Sequence, residues 1–491
     1  MGDLDSQKLV WLRKAEKTKA KGKGAKVKIL FVGRNGECPK KVLQSCPRDI
    51  KKRIQSGSSV ESWSTSTLQY WVIQSQFVDR GQHYGLFTPS PYAMARDLVG
   101  TSLRKIVDQN PHSVSLECIG TSLGEVTGAI VGMELGEYRF KNQWPQKKAS
   151  GFQVQIKTGL ANEKEIKEKA FALGEGTNLA RFLVDLPPNL LNPKTYSELL
   201  KKHFSKSGAK LAVWDFKRLQ KEKMGLHIAV GQGAVEKPCL VHISYRNGGK
   251  ADPIAFVGKG ITFDAGGLDI KPASGMRLMK KDMGGSAAVV GLAHFVSSAK
   301  LKINCDFYLA IAENAVDAES FRPGDVITSR SGKTVEIHNT DAEGRLVMAD
   351  ALTLAAEKKP QYLVDVSTLT GAIKVGLGIH TPGLFSNHDL LAETLVQSAQ
   401  NRGDLCWRMP LVPNEKARLK SEVADMVNCT DGFGGAVTAA LFLESFVDDV
   451  PWAHFDIYAW NDRAQGPFAH RGGTGQMVQA LSDFVEQQQT R

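Results

Sequence analysis

The stretch Ile254-Ala255-Phe256-Val257-Gly258-Lys259-Gly260-Ile261-Thr262-Phe263-Asp264-Ala265-Gly266-Gly267 decides the fold. Its first four residues form an apolar run too short for a helix and closed by glycine, which reads as a buried strand. Polar residues and glycines follow at once, the pattern left where a strand of an open α/β sheet delivers a ligand site at its carboxyl end. Working outward, apolar runs at 211–213, 227–230, 307–312 and 362–366 alternate with helical spacing over 285–298 and 346–357. That alternation predicts an α/β sandwich with a mixed, largely parallel sheet.

Toward the N-terminus the pattern repeats on a smaller scale. Residues 27–32 and 113–119 read as buried strands, 152–156 as a half-exposed one, and 92–107 and 125–137 carry helical spacing. The stretch 163–184, rich in Ala, Glu, Lys and Leu, ends at the breaker Leu186-Pro187-Pro188-Asn189. The expected class is therefore α/β with two domains. An N-terminal α/β domain with a basic leader spans 1–160, a linking helix 161–186, and a second α/β domain 187–491.

The 491 residues are 42% hydrophobic and 23% charged, enough apolar material for a core in each domain and too much for a disordered chain. No run approaches the roughly 18 apolar residues of a membrane span, and the start lacks the apolar region of a secretory signal, so a cytoplasmic protein is expected. Seven cysteines, odd in number and without a C-x-x-C pair, read as reduced thiols rather than a disulfide framework or a thiolate zinc site. The net charge of +12 is local: residues 1–60 hold 16 Lys or Arg against 5 Asp or Glu. Lys14, Lys17, Lys19, Lys21, Lys23, Lys26 and Lys28 lie in a Gly- and Ala-punctuated run without aromatic interleaving, which reads as a solvated surface rather than a nucleic-acid groove. Gly2 and Ser6 fit a myristoylation pattern, against which Asp3 and Asp5 weigh.

Two clusters carry the chemistry. The first holds Lys259, Asp264, Lys271 and Lys281-Asp282-Met283-Gly284-Gly285; the second is Asn339-Thr340-Asp341-Ala342-Glu343-Gly344-Arg345-Leu346, before the run at 362. Three Asp and one Glu converging where water is scarce would repel each other unless cations neutralise them, and divalent metals bind such oxygen sets. Two metals sharing a carboxylate can hold a bridging hydroxide as nucleophile and stabilise the oxyanion it creates, which is hydrolytic chemistry. Taken singly, each residue has a plainer reading. Asp341-Ala342-Glu343-Gly344 could be an N-cap with an acidic first turn. Lys259 could bind phosphate, although the P-loop spacing is absent. Lys280 and Lys281 could be solvated, and Asp282 could cap the helix starting near Gly285. None of these explains both clusters. No H-E-x-x-H occurs among the 11 histidines. His454, between Trp452 and Phe455, reads as a hydrogen-bonded core histidine, and His338 as either a support for the ligands or a buried structural group. Gly472-Gly473-Thr474-Gly475 reads as a loop and cap before an apolar C-terminal helix.

On these residues the sequence resembles the leucyl aminopeptidase, or cytosol aminopeptidase, family. The octapeptide Asn339 to Leu346 is the family's signature, and Lys259, Asp264, Lys271 and Asp282 fall at its spacing of five, seven and eleven residues. Thr368-Leu369-Thr370-Gly371-Ala372, Ser421-Glu422-Val423-Ala424-Asp425 with Asn428, and Trp452-Ala453-His454-Phe455-Asp456-Ile457 also match, so the likeness covers roughly residues 180–480. The resemblance implies a macro-domain-like N-terminal domain and a catalytic dimetal aminopeptidase domain over 187–491, assembled as a homohexamer, a dimer of trimers, with the run Gly434-Gly435-Ala436-Val437-Thr438-Ala439-Ala440 near the subunit contacts. It implies removal of the N-terminal residue, leucine by default, from short peptides and amino-acid amides. Asp264, Asp341 and Glu343 would bind one zinc, completed by the Asp341 carbonyl. Lys259, Asp264, Asp282 and Glu343 would bind a second ion exchangeable among zinc, manganese and magnesium, with Lys259 neutral. Lys271 would stabilise the gem-diolate, and Arg345 would hold a bicarbonate acting as general base. Lys271, Asn339, Met279, Thr368, Leu369 and Gly371 would contact the substrate, Met279, Thr368 and Gly371 forming an apolar side-chain pocket. The chain departs from its relatives at Ala265, where many carry Ser, and at Tyr458-Ala459-Trp460-Asn461, where relatives carry small residues. A DNA-binding regulator resting on the basic leader, a catalytically silent scaffold and a two-metal phosphatase are the competing classes.

Overall fold

The computed structural model describes residues 24–75, 90–140 and 153–489. Phe152, the leader lysines through Lys23 and the myristoylation pattern lie outside the described residues. Lys28 belongs to the strand Lys26–Val32 and pairs with Glu117 at 2.6 Å, so the last lysines of the basic run are part of a sheet rather than of a leader.

The chain builds two main sheets. The first has five strands in the order Val60–Ser64, Leu68–Gln74, Lys26–Val32, Ser113–Ile119 and Gln153–Lys157; all neighbours are parallel except the first two. Helices Pro91–Val107 and Leu123–Glu137 pack together beside it. The helix Glu163–Asp185 is buried over its second half and packs on both Leu123–Glu137 and Gly284–Ser298, one helix from each half of the molecule.

The second sheet has eight strands, in the order Trp407–Arg408, Gly383–Ser386, Trp452–Asp456, Tyr362–Ser367, Ile254–Asp264, Asn304–Asn314, Cys239–Arg246 and Lys210–Trp214. From Trp452–Asp456 to Asn304–Asn314 the strands are parallel; antiparallel pairings flank them. Period-two alternation distributes the core. Phe256 and Phe307 face the helix Gly284–Ser298, and Ala255, Val257 and Tyr308 face Gly344–Ala356 on the other side. The expected mixed, largely parallel sheet is present.

The run at 227–230 is not a strand: it lies in the helix Gly225–Gly231. A short apolar run has no period of its own, and here tertiary packing selects a buried helical turn. The strand that takes that place in the sheet is Cys239–Arg246. Gly472–Gly473, expected as loop, pairs antiparallel with Trp460–Asn461, and the C-terminal helix follows at Val478–Gln487. None of the seven cysteines is paired. Among the described residues no helix is long and apolar enough to cross a membrane.

Candidate metal centre

The strand Ile254–Asp264 runs beyond its neighbour Tyr362–Ser367, their last paired residues being Gly258 and Val366. Lys259 is the next residue. Farther along, the register against Asn304–Asn314 slips: three steps from Ile261 to Asp264 match two from Ala312 to Asn314. Residues five apart on a regular strand point to opposite faces, and one extra residue reverses that parity. Lys259 and Asp264 thereby serve the same cluster.

The second group enters from the helix Gly344–Ala356. Glu343 occupies its N-cap position with helical backbone angles and makes no capping hydrogen bond, so the plain N-cap reading fails. Gly344 is required by packing, since a Cβ there would lie 2.5 Å from Lys259 Nζ. Gly266, at φ 91°, turns the chain so that Lys271 returns to the site; a Cβ there would lie 2.9 Å from the Lys271 backbone nitrogen. Asp282 follows the turn Met279–Lys281 and does not cap the next helix, whose N-cap residue is Met283.

Lys259 Nζ lies 2.7 Å from Asp282 Oδ2 and 2.9 Å from Glu343 Oε1, and donates to the Thr368 carbonyl at 3.1 Å. Lys271 Nζ lies 2.8 Å from Asp264 Oδ2 and also contacts Asp341 Oδ1. Oxygens of Asp264, Asp341 and Glu343 all fall within 4.8 Å of one another. Neither Glu343 oxygen accepts a hydrogen bond among the described residues, although both are buried; Lys259 is near enough to pair in charge without being aligned to donate. Fully ionised, four carboxylates against two ammoniums would leave a net double negative charge. Burial pushes the Glu343 carboxyl up to about 8, with Asp264 adding to the rise and Lys259 opposing it. Burial also raises Asp282, against Lys259, and Asp341, with Asp264 reinforcing. Burial alone would lower Lys259, but Asp282, Glu343 and Asp264 outweigh it and hold the amine protonated. These groups fit one or two divalent cations: an oxygen-rich, electron-pair-exposing set with an uncompensated negative charge.

The remaining expected residues surround the cluster. Thr368 is more than a pocket wall, since its hydroxyl donates to Asp282 Oδ1 at 2.7 Å. Leu369 is half-buried, its N–H bonded to Asp456 Oδ1 at 2.9 Å, and Gly371 opens the short helix Gly371–Leu377. Met279 begins its turn half-buried. Asn339 Oδ1 accepts the Asp341 N–H at 2.7 Å. Arg345 is 6% exposed, and burial lowers its pKa; Nη1 donates to the Asn428 carbonyl at 2.6 Å.

Supporting groups to which the sequence reading gave no role emerge here. Asn314 donates to Asp264 Oδ1 at 2.9 Å and to the Thr340 carbonyl at 3.1 Å. Asn428, fully buried, accepts the His338 and Asn339 N–H groups and returns a donor to the Asn339 carbonyl. Asp269 accepts the Thr340 N–H at 2.8 Å. A polar residue ending a buried strand was the one available signal for Asn314.

Other expectations need correction. Lys281 is 5% exposed rather than solvated, and Lys280 donates to the Asp185 carbonyl at 2.6 Å. His338 is exposed, near Glu336 at 3.4 Å, and so is neither a buried structural group nor a support for the ligands through its ring. His454 is the expected core histidine, fully buried with Nδ1 2.6 Å from Asp365 Oδ1. The glycine-alanine run at 434–440 enters the helix Gly435–Glu444.

Comparison with known proteins agrees with this geometry. Residues 178–482 match the cytosol aminopeptidase family, catalytic domain. A probable cytosol aminopeptidase of Rhodopseudomonas palustris is 44% identical over 344 residues, 68% of this chain and 69% of the relative; one of Xanthobacter autotrophicus is 42% identical over 355 residues, 70% and 71%. Among solved structures, a bottromycin maturation enzyme in complex with Mn aligns at TM-score 0.81 and 30% identity over 94% of this chain and 99% of that one. The cytosol aminopeptidase of Coxiella burnetii aligns at 0.79 and 30% over 97% and 99%. The signature octapeptide, the carboxylate cluster it completes and these likenesses agree: the chain belongs to the cytosol aminopeptidase family.

Proposed function

We propose that this chain is a dizinc leucyl aminopeptidase, removing single N-terminal residues, leucine by default, from short peptides and amino-acid amides with a free N-terminus. The observation that carries the reading is the trio Asp264, Asp341 and Glu343, the first and last of them buried, with oxygens within 4.8 Å and Glu343 without a hydrogen bond among the described residues. Asp264, Asp341 and Glu343 would hold one zinc. Lys259, Asp264, Asp282 and Glu343 would hold the second ion, replaceable by manganese or magnesium. Bound there, the ions would supply Lewis-acid polarisation of the scissile carbonyl and a water activated near neutral pH. To serve as a ligand Lys259 must give up its proton, which a neighbouring dication favours.

Lys271, paired with Asp264 and Asp341 while Lys259 pairs with Asp282 and Glu343, would present a fixed positive charge to a developing oxyanion. Arg345 is tethered through one nitrogen to Asn428; its other N–H groups would clamp a bicarbonate that accepts the proton of the attacking water. Asn339, Met279, Thr368, Leu369 and Gly371 would receive the substrate. The same reading includes a cytoplasmic homohexamer, a dimer of trimers, which the family resemblance supports, and the division of the chain at 160 and 186, which the breaker Leu186-Pro187-Pro188-Asn189 supports. Beyond residue 60 the sequence is close to neutral, which weighs against a nucleic-acid partner.

The test is release of p-nitroaniline from Leu-p-nitroanilide by the full chain with zinc or manganese. Turnover that Asp264→Ala abolishes and an N-acetylated substrate does not support is the expected result. No turnover across a panel of N-terminal residues, with two metals bound, would refute it.

A further inference from the structure

Beside the carboxylate cluster lie two cations that, among the described residues, form no ion pair with it. Lys281 is 5% exposed, and its ammonium has neither a hydrogen bond nor an ion pair among the described residues; it rests over the Tyr458 ring, 4.5 Å from the centroid. Lys374, on the helix Gly371–Leu377, approaches the same ring at 5.6 Å and is also unpaired among the described residues. The nearby carboxylates are committed elsewhere. Asp282 engages Lys259 and Thr368. Asp456 accepts the Leu369 and Thr370 N–H groups at 2.9 and 3.2 Å and the Thr370 hydroxyl at 2.6 Å.

Asp282 and Asp456 attract the Lys281 ammonium without pairing with it, and the aromatic face offsets only part of the cost of enclosing that charge. Both lysines also border residues assigned to substrate: Met279 lies two positions before Lys281, and Gly371 begins the helix that carries Lys374. A single anion brought by the substrate would neutralise the pair. Resting on the aminopeptidase reading, we infer that the subsite beside the cluster binds the side-chain carboxylate of an acidic first residue, glutamate or aspartate, between Lys281 and Lys374 against Tyr458. This replaces leucine as the preferred residue. A neutral isostere such as glutamine fills the same volume but leaves the ammoniums unpaired, the situation in which a polar subsite discriminates most strongly.

The test uses the metal-loaded full chain and aminoacyl-methylcoumarylamides of Glu, Asp, Gln, Asn and Leu, which lack a terminal carboxylate. Glu is expected to exceed Gln at least tenfold in kcat/KM. Lys281→Met and Lys374→Gln should each lower the Glu-to-Gln ratio at least tenfold, while Lys281→Arg retains a preference for Glu. Calorimetry on the metal-free protein should show L-glutamate binding more tightly than L-glutamine, a difference lost in Lys374→Gln, which lies on an exposed helix position. Turnover of Leu or Gln with no advantage for Glu would overturn the subsite and leave the aminopeptidase reading intact. A preference for Leu-Gly over Leu-Gly-amide that vanishes in Lys374→Gln would assign the lysines to the peptide's far carboxylate and overturn the inference as well. No turnover of any substrate with both metals bound would refute the reading and the subsite together.

Discussion

Glu125 and Glu343 make an instructive pair. Each is at most 2% exposed, and each sits at the start of a helix beside the carboxyl end of a parallel strand, one in each sheet. Glu125 is fully engaged: its oxygens accept from the Ser75 hydroxyl at 2.6 Å, the Ser122 N–H and hydroxyl at 2.8 and 2.9 Å, and the Arg34 N–H at 3.4 Å. Together with Ser122 it forms a complete capping box. Among the described residues Glu343 accepts no hydrogen bond, and around it stand the Lys259 ammonium and the carboxylates of Asp264 and Asp341. Position in the fold is therefore a poor guide to role. The satisfied acid holds its helix in place, and the unsatisfied one is available to a ligand.

The sharpest way to break this contrast is to remove both acids. Glu343→Ala should lower kcat/KM on the order of a thousandfold, equivalent to several kcal/mol of lost transition-state stabilisation, and reduce bound metal measured by atomic absorption. Its metal-free melting temperature should not fall. A second test carries the partner rule to histidines. His227 is fully buried, with Nε2 3.0 Å from the Ile311 carbonyl and Nδ1 unpartnered among the described residues, and burial pulls its pKa down to about 4. The unfolded chain binds a proton there near pH 6.5 that the folded chain refuses until about pH 4. Stability is thus lost as pH falls through that window, by about 3 kcal/mol for this group. Denaturant titrations at pH 7 and 4.5 should show a smaller acid loss in His227→Gln. Asp365 keeps His454 above the ordinary histidine value despite burial, so that residue should not share the effect. Glu125→Ala should cost about 1–2 kcal/mol in denaturant unfolding and leave kcat/KM within about twofold. The smallest effect belongs to Lys28→Ala. Its partly exposed pair with Glu117 should contribute under about 1 kcal/mol and should fade with added salt.

Much of this was legible from local pattern. The buried central strands, the helices over 285–298 and 346–357 and the acid-bearing turns that precede those helices follow from apolar period and glycine placement, which are properties of neighbouring residues. What was not legible is contact at a distance, including the role of Asn428, which the sequence marks only as a matching position. Asn428 grips the signature from 89 positions away, and Asn314 reaches Asp264 across 50. No spacing rule connects such pairs. The buried state of Lys281 was hidden because a lysine beside a lysine looks solvated until Tyr458 is folded over it.

The extra residue between Ile261 and Asp264 also bears on which changes of chain length this enzyme can tolerate. Loops on the surface accept insertions freely. In this strand, a deletion of one residue would restore regular pairing, keep every apolar contact upstream, and rotate Asp264 to the other face of the sheet. A chain altered in that way would retain its core and lose its cluster. The segment is thus a place where a single-codon deletion would produce a folded but inert protein, while an equal change a few residues later, in the turn through Gly266, would alter the path of the chain itself.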